Sequence, residues 1–274
     1  MNLVINQHTE TKLRSIQADL PHAILLTGKP GVGLATIAKS LAGKRLVRVI
    51  EPTDSKDEIN HETGTISVEI IRNLYEQTRT KHVGQEVILL DDADRMSRGA
   101  QAAFLKLLEE PAENIHFILT SHSPQTLVAT IRSRVQSIEV EPISKQQTAA
   151  FIASLGLHSA KKQTQLEYLG EGLPSELHRL TNSEEYFAAR AEIMGDVRTL
   201  LSGSVYSKLL LVQKYYQKKH ETLQLLDGSL AVSRRSLSSQ PQTNLIMQID
   251  NLITVREKID ANCNIRLQLM AFVL

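Results

Sequence analysis

The stretch LLTGKPGVGLATIAKSLA, residues 25–42, constrains the fold of this chain more than any other. An apolar run ends in a glycine-rich turn, and a helix-period pattern starts directly behind it. Gly28 and Gly33 occupy the glycine positions of the phosphate-binding pattern G-x-x-x-x-G-K-[ST]. Such a turn opening a helix directs backbone N–H groups and the helix dipole at an anion. Gly28, Gly31 and Gly33, with Pro30, keep that corner. Leu34 and Ala35 stand where a lysine would reach the phosphates and a hydroxyl would hold Mg²⁺. Hydrogen bonds to charged groups are worth roughly 1.5–3 kcal/mol each, so losing both weakens a nucleotide by about a hundred- to ten-thousand-fold or more. Lys29 lies at the start of the loop and does not replace the missing side chain.

The corner sits in an alternating pattern. The runs HAILLT, LVRVIE, EVILLDD, IHFILTS and VQSIEV, up to about residue 142, read as strands, several of them apolar throughout. Strands covered on both faces look like this, and their alternation with amphipathic helices predicts a parallel α/β sheet. VEIIRNLYEQTR places Ile70, Ile71, Leu74 and Tyr75 on one helical face, and AAFLKLLEE does the same with Phe104, Leu107 and Leu108, closed by Pro111. Near Pro142 the character changes. Ser144 reads as an N-cap and Gly156 as the stop of one helix; a second covers roughly 158–169 and a third starts at Pro174. From about 184 onward only helix-period patterns follow, with 234–243 expected to interrupt them. The expected organisation is an α/β domain over 1–142, a small three-helix domain over 143–183, and a helical domain over 184–274. EPTDSKDEINHETGT is the one clear polar loop.

Composition narrows the function classes. The net charge of the 274-residue chain is +1, so no global field argues for nucleic acid or membrane binding. Trp is absent and aromatics are 4%, which disfavours base-stacking platforms. The single cysteine, Cys263, excludes a disulfide framework and a multi-cysteine zinc site, and is expected in the core. With no long apolar run and no signal-peptide pattern, a cytoplasmic protein is expected.

EVILLDDAD ends an apolar strand in Asp91 and Asp92, the form of a Walker B element. There the first carboxylate positions Mg²⁺ and the second polarises water; Asp92 is one methylene shorter than the usual Glu, and an error near 1 Å can cost ~100-fold. With GKPGVG before it and FLKLLEEPAENIHFILTS and ATIRSR behind it, the sequence resembles the AAA+ clamp-loader family. The resemblance covers the first 140 or so residues, and extends through the small helical unit to about 183.

The resemblance implies roles for the later motifs. Thr120 or Ser121 would be the sensor-1 residue near a γ-phosphate. Ser133, Arg134 and Val135 stand at the family's Ser-Arg-Cys motif, whose arginine reaches the ATP of a neighbouring subunit. A guanidinium suits that work because it is permanently charged and forks onto phosphate oxygens. Two departures matter. The family's four-cysteine zinc module is absent, so no metal site is expected, and the sensor-2 arginine is replaced by Ser175, with Arg179 a turn beyond. The implied function is a non-hydrolysing subunit of DNA polymerase III, its own ATPase site inactive, that lends Arg134 to a gamma/tau-type ATPase neighbour. Its partners would include a delta-type subunit, the sliding clamp and primed DNA through the assembly, with residues 184–274 as the collar. No cofactor is required, though a weakly held or structural nucleotide fits the relic loop. The competing readings are an AAA+ ATPase working through an altered loop and a non-replicative scaffold built on a dead P-loop fold.

Overall fold

The computed structural model describes residues 3–17, 19–61, 63–78, 84–156, 159–239 and 243–274. The strands are β1 (Ala23–Gly28), β2 (Leu46–Ile50), β3 (Glu86–Leu90), β4 (Ile115–Ser121) and β5 (Gln136–Val140). They form one parallel sheet in the order β2-β3-β4-β1-β5. Each expected strand is present within a residue or two of its expected limits. Helices α1 (Gln7–Gln17), α2 (Leu34–Ala42), α3 (Val68–Thr78), α4 (Arg98–Glu109) and α5 (Ala129–Arg132) surround it.

The period of two along each strand sends alternate residues to opposite faces. Ile24 and Leu26 of β1 join Leu13, Ile16, Ile37 and Leu41 of α1 and α2 in one core cluster. Ala23 and Leu25 join Ile71, Leu74, Phe104 and Ile131 of α3, α4 and α5 in the other. Both faces are therefore dry, which is why the strands read as near-continuous apolar runs. Phe104 meets Phe117 edge to face, with ring centroids 5.3 Å apart. On α3, Ile71 and Leu74 are buried while Ile70 and Tyr75 pack at the margin.

Helices α6 (Lys145–Ser154), α7 (Ala160–Gly170) and α8 (Pro174–Asn182) follow. Ser144 caps α6 in a reciprocal capping box with Gln147, and Gly156 takes a left-handed φ of 69° after it. Residues 157–158, part of the expected start of α7, lie outside the described residues. The chain divides into two compact units, Met1–Leu180 and Thr181–Leu274.

The second unit is helical: α9 (Glu184–Ser202), α10 (Val205–Tyr215), α11 (Lys219–Ser239), α12 (Thr243–Asp260) and α13 (Ile265–Val273). Leu226 and Leu252, on α11 and α12, are fully buried. Two expectations are corrected here. Helix α11 continues through 234–239 instead of breaking there, and Ser236 Oγ donates to the Val232 carbonyl at 3.1 Å within it. The rest of the expected interruption, 240–242, lies outside the described residues. Cys263 is exposed, not a core residue. It follows Asn262, whose φ is 63°, in the turn between α12 and α13, so its position outweighs its apolar character.

Two outcomes follow from this packing. Leu34 is 3% exposed within the cluster around α2. Restoring the lysine, Leu34→Lys, removes a buried apolar side chain worth about 2 kcal/mol and sets an ammonium against the core. The expected loss is on the order of 3 kcal/mol, read from the urea midpoint. In the second unit, Tyr215 Oη donates to Asp196 Oδ2 at 2.8 Å, and Lys214 Nζ lies 2.5 Å from the same oxygen. Burial, then the carboxylates, hold the Tyr215 hydroxyl far above its ordinary 10.0. For Lys214, burial opposes the charge, but Asp196 and Glu192 outweigh it and raise the group. Above about pH 10 the unfolded chain releases protons that the folded chain keeps, so stability present below that pH falls as pH rises. Tyr215→Phe should make the decline between pH 9 and 11 shallower, by up to about 1.4 kcal/mol per pH unit for the single proton removed.

Candidate functional site

The carboxyl ends of the parallel strands gather most of the expected site residues on one edge of the sheet. At the end of β1, Gly31 and Gly33 adopt φ values of 88° and 93°, a conformation that only glycine takes without strain. The loop is closed by protein. Ser175 N–H, in the first turn of α8, donates to the Gly31 carbonyl at 2.9 Å. A Cβ on Gly33 would stand 3.1 Å from Ser175 Oγ, and one on Gly31 3.3 Å from Glu176 Cβ. Leu34 turns into the core, so its position presents no cation to the loop, and Lys29 is exposed at the loop's start. The side chains present do not fit a magnesium-bound nucleoside triphosphate: Leu34 and Ala35 supply neither the cation for its phosphates nor the hydroxyl for its metal.

Beside it, Asp91 is 7% exposed. Thr120 Oγ1 donates to Asp91 Oδ1 at 2.5 Å and accepts from the Asp92 N–H at 2.9 Å. Thr120 thus clamps two successive residues of the β3 end, and its hydroxyl is committed within the protein. The Ser121 hydroxyl accepts from Ser123 N–H at 3.1 Å, closing the turn after β4. Asp92 has a left-handed φ of 50°, and this twist turns its carboxylate toward two histidines. His61 Nδ1 lies 2.7 Å from Asp92 Oδ2, and His122 Nε2 lies 3.9 Å from Asp92 Oδ1. His122 Nδ1 donates to the Gly28 carbonyl at 2.8 Å, which ties the glycine corner to the β4 end. The glycine loop, Asp91, Asp92, Thr120 and Ser121 are therefore neighbours at one edge of the sheet. His61, His122 and Glu51 were missed. His61 and Glu51 come from the polar loop after β2, which has neither period nor motif to mark them.

Arg134 and Ser133 are placed elsewhere. They precede β5, whose register pairs Gln136 with Ile24 and Val140 with Gly28. The chain rises about 3.3 Å per residue in a strand, so the arginine stands roughly 13 Å or more from the glycine loop, at the opposite edge of the sheet. Arg134 Nη2 pairs with Glu109 Oε1 at 3.0 Å, and Nη1 donates to the Thr130 carbonyl at 3.2 Å. Ser133 Oγ donates to the same carbonyl at 3.1 Å. Fully buried Ile131 and nearly buried Val135 anchor this loop from within, leaving both polar side chains outward.

Residues 44–144 match the family model described as DNA polymerase III, delta subunit. The DNA polymerase III subunit delta' of Yersinia pestis is 31% identical over 176 residues, covering 61% of this chain and 50% of that protein. Replication factor C small subunit 2 of Pyrobaculum islandicum is 27% identical over 213 residues, covering 74% and 65%. The chain thus spans about half to two thirds of the length of these relatives. A DNA polymerase III gamma subunit-related protein of Thermotoga maritima has the same fold, with a TM-score of 0.52, 19% identity and 97% of each chain covered. The carboxylates that end β3 and the Ser133–Arg134 loop lie within the matched stretch, and over it the chain resembles the delta-type subunits of DNA polymerase III.

Proposed function

We propose that this chain is a non-hydrolysing clamp-loader subunit that completes the ATP site of a neighbouring subunit with Arg134. The observation that carries the reading is the separation of the two functional elements. Arg134 lies at the edge of the sheet opposite the glycine loop, so it serves no site of its own chain. It is exposed, and among the described residues it is held by an outward Glu109 carboxylate and one backbone carbonyl. Exposed ion pairs of this kind are worth about 0–1 kcal/mol, so exchanging Glu109 for a phosphate costs little. The loop that positions it is anchored by Ile131, which supplies the rigidity a trans-acting group needs.

In this reading the chain works in the cytoplasm within a hetero-oligomer containing gamma/tau-type ATPase subunits and a delta-type subunit. That assembly places a sliding clamp on primed DNA. Residues 184–274 form the collar, 143–183 the lid, and 1–142 the AAA+ module. The likeness to replication factor C small subunits favours a second reading, in which the chain hydrolyses ATP itself; buried Leu34 and the closed loop argue against it.

A reconstitution decides between them. The chain is combined with the ATPase, the delta-type subunit, the clamp and primed DNA from one source, and DNA-stimulated ATP hydrolysis is measured. Arg134→Ala should join the complex yet lose most of the rate at the site it completes, since a finger is worth about 10³–10⁵. The isolated chain should show no binding of a fluorescent ATP analogue up to millimolar concentration. Unchanged hydrolysis with Arg134→Ala, or tight nucleotide binding by the chain alone, would overturn the proposal.

A further inference from the structure

We propose that Glu109 is a positioning residue for Arg134: it sets the place where the guanidinium waits before a neighbour's phosphate takes over. This role rests on the trans-acting function proposed for Arg134.

An arginine side chain turns about several single bonds, and a group that must meet a phosphate cannot wander, since an error near 1 Å can cost ~100-fold. Two contacts fix the plane of this guanidinium. Nη2 lies 3.0 Å from Glu109 Oε1, and Nη1 donates to the Thr130 carbonyl at 3.2 Å. A guanidinium has five N–H donors, so the two contacts leave others to face a phosphate.

Both ends of the pair are mounted on one core. Glu109 is the last residue of α4, and Phe104, Leu107 and Leu108 seat that helix in the cluster that also holds Ile131 and Val135, on either side of the arginine. The Arg134 N–H donates to the Ile131 carbonyl at 2.9 Å, which fixes the backbone of the loop. The spacing between carboxylate and arginine is therefore set by close-packed side chains.

The place of Glu109 makes little sense for the helix alone. The carboxyl end of a helix carries partial negative charge, which disfavours a carboxylate there, and Glu110 follows directly. Glu109 thus adds nothing to α4, whereas opposite Arg134 it meets a cation. The pair is exposed, so it contributes little to stability and yields readily, yet it narrows the conformations from which the arginine starts.

The assembly reconstituted for Arg134→Ala, built with the whole chain, also tests this role. Glu109→Ala should join the complex and lower kcat for DNA-stimulated ATP hydrolysis about 2–10-fold, the effect of ordering one rotamer-rich side chain, with KM for ATP unchanged. Glu109→Gln keeps the acceptor and should retain most of the rate. The Tm of Glu109→Ala should stay level or rise slightly, because a helix C-terminus loses a carboxylate; a structural role would lower it. Glu109→Ala combined with Arg134→Ala should be no slower than Arg134→Ala alone. An unchanged or raised kcat in Glu109→Ala, a Glu109→Gln variant as slow as Glu109→Ala, a lowered Tm, or losses that add in the double variant would each overturn the role of Glu109 and leave that of Arg134 standing. Wild-type hydrolysis with Arg134→Ala would overturn both.

Discussion

The hydrogen bond from the Ser175 amide to the Gly31 carbonyl is the constraint around which the first unit is arranged. The first turn of a helix has N–H groups without partners inside it, and a glycine corner behind a strand likewise presents unpaired polar backbone. Here the Ser175 N–H finds its acceptor in the Gly31 carbonyl. One such bond is worth only about 1 kcal/mol net, but it is reinforced by Leu173, which packs against the core cluster beneath the loop. The corner is thereby joined to α8, and Leu34 in the core fixes the start of α2 against β1.

The polarity of a parallel sheet then separates the chain's two functional regions. Every carboxyl strand end lies on one edge, where the glycine loop, Asp91 and Thr120 meet. The residues leading into β5 lie on the other, and these include Ser133 and Arg134. A substitution at the first edge therefore leaves the second intact, provided the core between them is preserved. Ile131 and Val135 belong to the same apolar cluster as Phe104 and Leu25, so the arginine loop rests on the packed face of the sheet and not on the glycine corner.

What the sequence made legible follows from how strongly local chemistry dictated it. The five strands were readable because burial on both faces demands near-continuous apolar runs, and Ser144 was readable because a capping box is local. The glycine loop and the two aspartates were readable as motifs. Illegible features depended on tertiary placement. Glu51 and Asp91 become neighbours only through the β2–β3 pairing, and His61 joins them only because Gly64 lets the Asn60 carbonyl approach. Cys263 was misplaced by residue type: an apolar side chain on a left-handed turn faces water whatever its preference.

Asp91 and Asp92 end β3 beside a glycine loop whose Gly33 is followed by Leu34. Three carboxylates, those of Glu51, Asp91 and Asp92, converge on the end of β3, and with Leu34 buried no lysine of the glycine loop faces them. Such a concentration of like charge would be unfavourable if unopposed. Part of it is met by the Thr120 hydroxyl on Asp91 and by the His61 ring on Asp92. Thr120 holds the end of β3, and the turn at Gly64 holds the loop that delivers His61 to Asp92.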